Sequence, residues 1–137
     1  MLSRPEIRIE SNAWPLVLSF PTEDVHLGGI RRALGDWLDE QGACGATRSA
    51  VVLATHEAVA NAVEHSRTGH SVIIRGRADH GKVTIEVSDD GDWQQATFED
   101  QERGRGLMMI AALVDEFEFV FNKPGTTIRM VRAARPH

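Results

Sequence analysis

Three polar side chains recur at four-residue intervals between positions 47 and 65, a segment with few helix breakers. On a helix, Glu57, Asn61 and His65 would share one face, drifting by about 40° at each step of four. A carboxylate and an amide one turn apart suit Mg²⁺, which takes hard oxygen ligands and keeps positions for phosphate and water. A plain amphipathic helix explains the same spacing. Small neighbours on that face predict room for a ligand: Ala50, Ala54 and Ala58.

A second chemical feature is the acidic end of a predicted strand. Asp89 and Asp90 follow Ser88, and Gly91 then lets the backbone turn away. A carboxylate at the edge of a sheet can accept a hydrogen bond from an exocyclic amine. A simple turn after the strand is the alternative interpretation.

The third feature is a glycine pair ahead of an apolar helical segment, Gly104-Arg-Gly106-Leu107. Glycines at a helix entry let free N–H groups face an anion, and the helix dipole adds attraction. Arg103 and Arg105 would add positive charge toward the same phosphates. The alternative is a hinge and helix cap. Since the pair follows a long polar loop at 89–103, we expect that loop to close over a ligand as a lid.

Hydrophobic periodicity predicts the elements that must position these residues. The helix over 47–65 has Thr47 as its N-cap and a core-facing stripe of Val52, Val59 and Val63. The other elements are strands at 16–20, 71–77, 82–88, 118–121 and 127–131, a helix containing Leu27, Ile30, Leu34 and Leu38, and a third helix at 107–114. A turn at 79–81 makes the second and third strands a hairpin. This order predicts an α+β two-layer sandwich, with helices on one face of a mainly antiparallel, mixed sheet.

Length and composition bound the class of protein. The 137 residues predict a single domain with its core at about 14–132, and the net charge of −5 argues against direct nucleic-acid binding. No apolar stretch approaches the roughly 20 residues of a membrane span, and residues 1–10 lack the apolar core of a signal peptide, so a cytoplasmic protein is expected. The single Cys44 predicts a loop thiol without an internal disulfide.

Four sequence boxes occur in an order that resembles the GHKL ATPases. They are Glu57-Ala-Val-Ala-Asn61-Ala-Val-Glu-His65, Asp89-Asp-Gly91, Gly104-Arg-Gly106-Leu107 and Gly125-Thr126-Thr127. Their order and spacing are more specific than any single box. A short domain with Glu-x-x-x-Asn-Ala-x-x-His is most similar to the bacterial anti-sigma factors that are also serine-protein kinases.

This resemblance implies ATP and Mg²⁺ as cofactors and a role for each box. Asn61 would coordinate Mg²⁺, and Glu57 would act as general base toward a substrate hydroxyl. Asp89 would bind the adenine amino group, with Thr126 supporting that end. The remaining nucleotide-binding residues would be Gly91, Arg103, Gly104, Arg105, Gly106 and Leu107.

The resemblance also implies partners. Members of this family phosphorylate an anti-anti-sigma protein with a STAS domain and hold a sigma factor away from RNA polymerase. A homodimer is expected, with the first helix and first strand as its candidate interface.

The second glycine of the family's Asp-x-Gly-x-Gly box is replaced by Trp93 in this chain. A binding module that captures a sigma factor with weakened or absent ATP binding is therefore the alternative function. A histidine kinase domain is less consistent with the sequence, because the chain has no helical dimerisation segment carrying a phosphoacceptor histidine. His65 is expected to be structural.

Overall fold

The computed structural model describes residues 6–8, 14–65, 71–90, 101–121 and 125–135, with backbone alone at 6–8, 65, 101–105 and 121. Within these residues, six strands and three helices follow one another: β1 (Glu6–Arg8), β2 (Leu16–Pro21), α1 (Leu27–Glu40), α2 (Gly45–His65), β3 (Ser71–Asp79), β4 (Lys82–Asp89), α3 (Gln101–Leu113), β5 (Glu116–Phe121) and β6 (Thr126–Ala133). The short β1 is the one described strand that the hydrophobic pattern did not predict.

The strands form one open sheet in the order β1-β2-β3-β4-β6-β5. Every pairing among the described strands is antiparallel. The predicted sheet was mainly antiparallel but mixed, and no parallel pair occurs among these strands. The predicted hairpin is confirmed: Asp79 pairs with Lys82 across a two-residue turn. His80 and Gly81 both adopt positive φ, at 52° and 75°, as a turn matching the twist of the strands requires.

One face of the sheet carries the core. Side chains alternate across a strand, and the inward set is apolar on each of the central strands. The predicted alternation of β4 is confirmed, because Val83, Ile85 and Val87 are at most 2% exposed. The helices cover this face and complete the α+β sandwich. Among the described residues, no helix combines the length and apolar character that crossing a bilayer requires.

The burial of α2 differs from the amphipathic prediction. Val59 is fully buried as expected, whereas Val52 and Val63 are only partly buried. The alanines that were expected to leave room for a ligand are instead core residues, with exposures of 8% at Ala50, 1% at Ala54 and 0% at Ala58. That prediction was wrong because α2 packs against the sheet and against both other helices, and small side chains permit the close approach.

The start of α2 also differs from the prediction. The helix begins at Gly45, two residues before Thr47, so Thr47 is not its N-cap. Its hydroxyl instead donates a 2.8 Å hydrogen bond to the carbonyl oxygen of Ala133 on β6. The Cys44 thiol lies 3.5 Å from the same hydroxyl, and this contact lowers the pKa of Cys44. Thr47 therefore joins the helix to the sheet, a contact that local sequence does not encode.

Candidate functional site

One part of the candidate site is built into the sheet. Asp89 ends β4 and Thr126 begins β6, and the two are direct partners in the strand register. Both are buried, with exposures of 9% and 2%. The Thr126 hydroxyl donates a 2.5 Å hydrogen bond to Oδ2 of Asp89. A charge-assisted bond of this kind holds the carboxylate in one orientation. We call this pair, together with Gly125, the sheet end of the site.

Gly125 allows the two strands to meet this closely. Its φ of +102° is a conformation that side chains rarely adopt. A Cβ at this position would collide with the Asp89 carbonyl oxygen. Glycine is therefore required here both by backbone conformation and by space.

Asp90 is a residue whose contribution sequence reasoning missed. Its Oδ1 accepts a 2.7 Å hydrogen bond from the backbone N–H of Ser71 at the start of β3. This bond fixes the chain directly after Asp89. No pattern along the sequence signals it, because the partner lies 19 positions away.

The second part of the candidate site lies between α2 and α3. Asn61 is 7% exposed, and its Nδ2 has no hydrogen-bond partner within the described part of the chain. The α3 backbone approaches it at Gly106, where a Cβ would lie 3.3 Å from Nδ2 and 3.5 Å from Oδ1. We call Asn61 and Gly106 the helix end of the site. A buried polar atom without a partner costs about 1–3 kcal/mol, which makes Asn61 a candidate for binding a ligand.

Glu57 lies one helical turn before Asn61 and is partly buried. Among the contacts of the described residues, no hydrogen bond or ion pair engages its carboxylate. Leu107, next to Gly106, is partly buried and packs against the core. The described site residues thus fall into two groups, Asp89 with Thr126 in the sheet and Asn61 with Gly106 between the helices, with Glu57 on the helix that carries Asn61.

The prediction that Gly104 to Gly106 form a loop before α3 is wrong. The helix begins at Gln101 rather than 107, so Gly104, Arg105 and Gly106 are helical residues. The packing of α3 against α2, where Gly106 approaches Asn61, is the physical reason, because tertiary contacts can override the low helix propensity of glycine. The side chains of Arg103 and Arg105 lie outside the described residues, as do Gly91, Trp93 and the side chain of His65.

Comparisons with known proteins identify the fold and the family. The family model of the histidine kinase-like ATPase domain matches residues 20–132. The crystal structure of the RsbU and RsbW domains of Rv1364c from Mycobacterium tuberculosis superposes with a TM-score of 0.69 at 28% identity, over 88% of this chain and 33% of that one. This chain thus spans about a third of that polypeptide.

A second solved structure, the nucleotide-free catalytic domain of the histidine kinase ThkA, superposes with a TM-score of 0.58. At 11% identity, covering 88% of this chain and 99% of that one, it shows a shared fold alone. The family model matches most of the chain, and the buried Asp89–Thr126 pair and the Asn61 helix lie within it. The protein belongs to the histidine kinase-like ATPase family.

Proposed function

We propose that this protein is an anti-sigma factor with ATP-dependent serine/threonine-protein kinase activity. It would phosphorylate an anti-anti-sigma protein with a STAS domain and sequester a sigma factor, acting in the cytoplasm as a homodimer. The observation that carries the proposal is the buried amide of Asn61, whose Nδ2 has no partner among the described residues, one turn from the Glu57 carboxylate, which no described residue engages. The similarity to a polypeptide that contains an RsbW domain supports the choice of kinase within the family.

The residues present fit a nucleotide bound with Mg²⁺. Asn61 offers an amide oxygen for the cation, which would neutralise charge on the phosphates. Asp89, held by Thr126, would accept a hydrogen bond from the adenine amino group. The segment around Gly91 and the segment 103–107 would enclose the base and the phosphates. Phosphoryl transfer needs positioning and electrostatic stabilisation more than covalent chemistry. Groups that bind the cation, the adenine and the phosphates are therefore the kinds of group that the reaction requires.

Glu57 would act as the general base. Its carboxylate would take the proton of a serine or threonine hydroxyl as that oxygen attacks the γ-phosphorus of ATP and the bond from this phosphorus to the ADP leaving group breaks. We expect Glu57→Gln, which keeps the shape and removes the basicity, to lower the rate of transfer by about 100-fold or more while ATP affinity changes by less than about twofold.

The experiment combines calorimetric titration with ATP, with and without Mg²⁺, and transfer from γ-labelled ATP to a purified STAS-domain protein. Glu64→Gln is the matched control, because Glu64 is an exposed acid on the same helix. Normal transfer by Glu57→Gln would show that Glu57 is not the base.

The alternative is a binding module that captures a sigma factor without using ATP. Trp93, in place of a glycine of the family pattern, favours it. The same titration separates the two functions: no heat of binding at millimolar ATP, together with tight binding of a sigma factor, would establish the module in place of the kinase.

A further inference from the structure

The outer face of α3 carries apolar side chains where a solvent-facing helix normally carries charged ones. Residues 106–114 contain no charged side chain. Four positions in this stretch are exposed, and all four are apolar: Met108, Met109, Ala111 and Ala112. Met108 is 72% exposed and Met109 is 44% exposed. A helix that is apolar on every side is normally buried on every side, so this face is suited to contact with another protein.

The neighbouring helix extends this apolar surface. Leu53 on α2 is 44% exposed, and with Met108 and Met109 it completes the set of large exposed hydrophobic side chains among the described residues. Leu53, Glu57 and Asn61 recur every four residues and therefore lie on one face of α2. Along this face, burial rises from exposed Leu53, through partly buried Glu57, to Asn61 beneath α3. The apolar surface therefore reaches Glu57 from one side.

The two helices run antiparallel to each other. At one end, Gly106 of α3 approaches Asn61 in the last part of α2. At the other end, Arg132 contacts both helices. Its Nη1 donates a 2.7 Å hydrogen bond to the carbonyl oxygen of Leu113, where α3 ends, and its Nε donates a 3.3 Å hydrogen bond to the hydroxyl of Thr47, near the start of α2.

This direction places Met109 beside Glu57. Each residue advances a helix by about 1.5 Å, so Met109 lies about 4.5 Å along α3 from Gly106. The same distance back along α2 from Asn61 reaches the turn that carries Glu57. The neighbour of Met109, Ile110, is fully buried in the core, whereas Met109 is exposed. The Glu57 carboxylate is therefore bordered by apolar surface on α3 as well as on α2.

We propose that the apolar surface formed by Leu53, Met108 and Met109 is the docking surface for the phosphoacceptor protein. A protein that presents a serine or threonine hydroxyl to Glu57 has to cover the side chains that surround this carboxylate. Its own surface around the acceptor residue would be apolar, and the flexible thioethers of the two methionines adapt to its shape. The inference rests on the proposed kinase activity and adds to it the surface that selects the substrate.

Transfer kinetics of a double variant, Met108→Gln with Met109→Gln, test the docking surface. Glutamine keeps the length and helix propensity of methionine and removes its apolar character. With the STAS-domain protein that the unmodified chain phosphorylates, we expect KM to rise by about tenfold and kcat to change by less than about twofold. The affinity for Mg·ATP, measured by calorimetry, should also stay within about twofold, because the fold and the nucleotide site are unaltered.

Val120→Gln is the matched control. Its register partner Thr127 alternates with the core residue Ile128, so Val120 lies on the face of the sheet away from the helices. This variant should keep the KM of the unmodified protein.

An unchanged KM in the double variant would overturn the docking surface and leave the proposed kinase intact. In that case, loss of the dimer in sedimentation equilibrium would assign the surface to a second copy, and weaker binding of a sigma factor would assign it to that partner. A fall in kcat with KM unchanged would also overturn docking, because the methionines would then affect the transfer step. An absence of transfer by the unmodified protein would overturn both the kinase and its docking surface.

Discussion

The sheet end and the helix end of the candidate site differ in how their polar groups are satisfied. At the sheet end, Thr126 and Asp89 are buried and hydrogen-bonded to each other, and Gly125 fits a conformation that only glycine tolerates. At the helix end, Asn61 is also buried, but its amide nitrogen has no partner among the residues that the structure describes. The first arrangement stabilises the fold whether or not a ligand is bound. The second is unfavourable until a ligand or a movement of α3 satisfies it, so the two ends should respond to mutation with opposite signs.

The largest effect is expected from Gly125→Ala at the sheet end. The new Cβ would collide with the Asp89 carbonyl oxygen, and alanine is strained at a φ of +102°. We expect the free energy of unfolding, measured in urea, to fall by about 3 kcal/mol or more. Gly45→Ala is the control, because Gly45 has no atom within 4 Å of the added carbon, and it should be nearly neutral. A nearly neutral Gly125→Ala would show that the close approach of β4 and β6 is not required.

A smaller loss is expected from Thr126→Val, which keeps the shape of the side chain and removes the hydroxyl. The buried Asp89 carboxylate would lose its 2.5 Å donor. We expect the free energy of unfolding to fall by about 2 kcal/mol and ATP binding to weaken. Thr127→Val is the matched control, since that hydroxyl bonds to Ser88 Oγ at 2.9 Å outside the buried pair. Equal losses from the two variants would remove the distinction between a buried charged partner and an ordinary cross-strand bond.

The smallest expected change has the opposite sign. Asn61→Leu replaces an amide whose nitrogen no described residue engages with an apolar side chain of similar size, so the unliganded protein should become more stable by about 1 kcal/mol. The same variant should not bind Mg·ATP, which titration would show. If Asn61→Leu destabilised the protein by as much as Thr126→Val, the contrast between the two ends would fail.

Features set by local rules could be predicted from the sequence. The turn at 79–81 and the alternation of Val83, Ile85 and Val87 follow from strand geometry, and both are found. The order of the sequence boxes, through the family resemblance, was enough to predict that Asp89 and Thr126 lie at the same end of the site. The structure adds that they are register partners and share a hydrogen bond.

Features set by packing between distant segments could not be predicted. The start of α3 depends on its contact with α2, and glycine propensity alone placed it at 107 rather than Gln101. The alanines of α2 were interpreted as open space because a helical wheel does not show that a helix is enclosed on several sides. The bond from Ser71 to Asp90 spans two elements, and no local pattern marks it.

Arg132 connects one strand to two helices through hydrogen bonds that need no ligand. From β6 its Nη1 holds the last carbonyl of α3, and its Nε lies 3.3 Å from the Thr47 hydroxyl at the start of α2. A strand and the ends of two helices are thus tied at one point. A displacement of the end of α3 would therefore be felt at the start of the helix that carries Glu57 and Asn61, which is the end away from the candidate site.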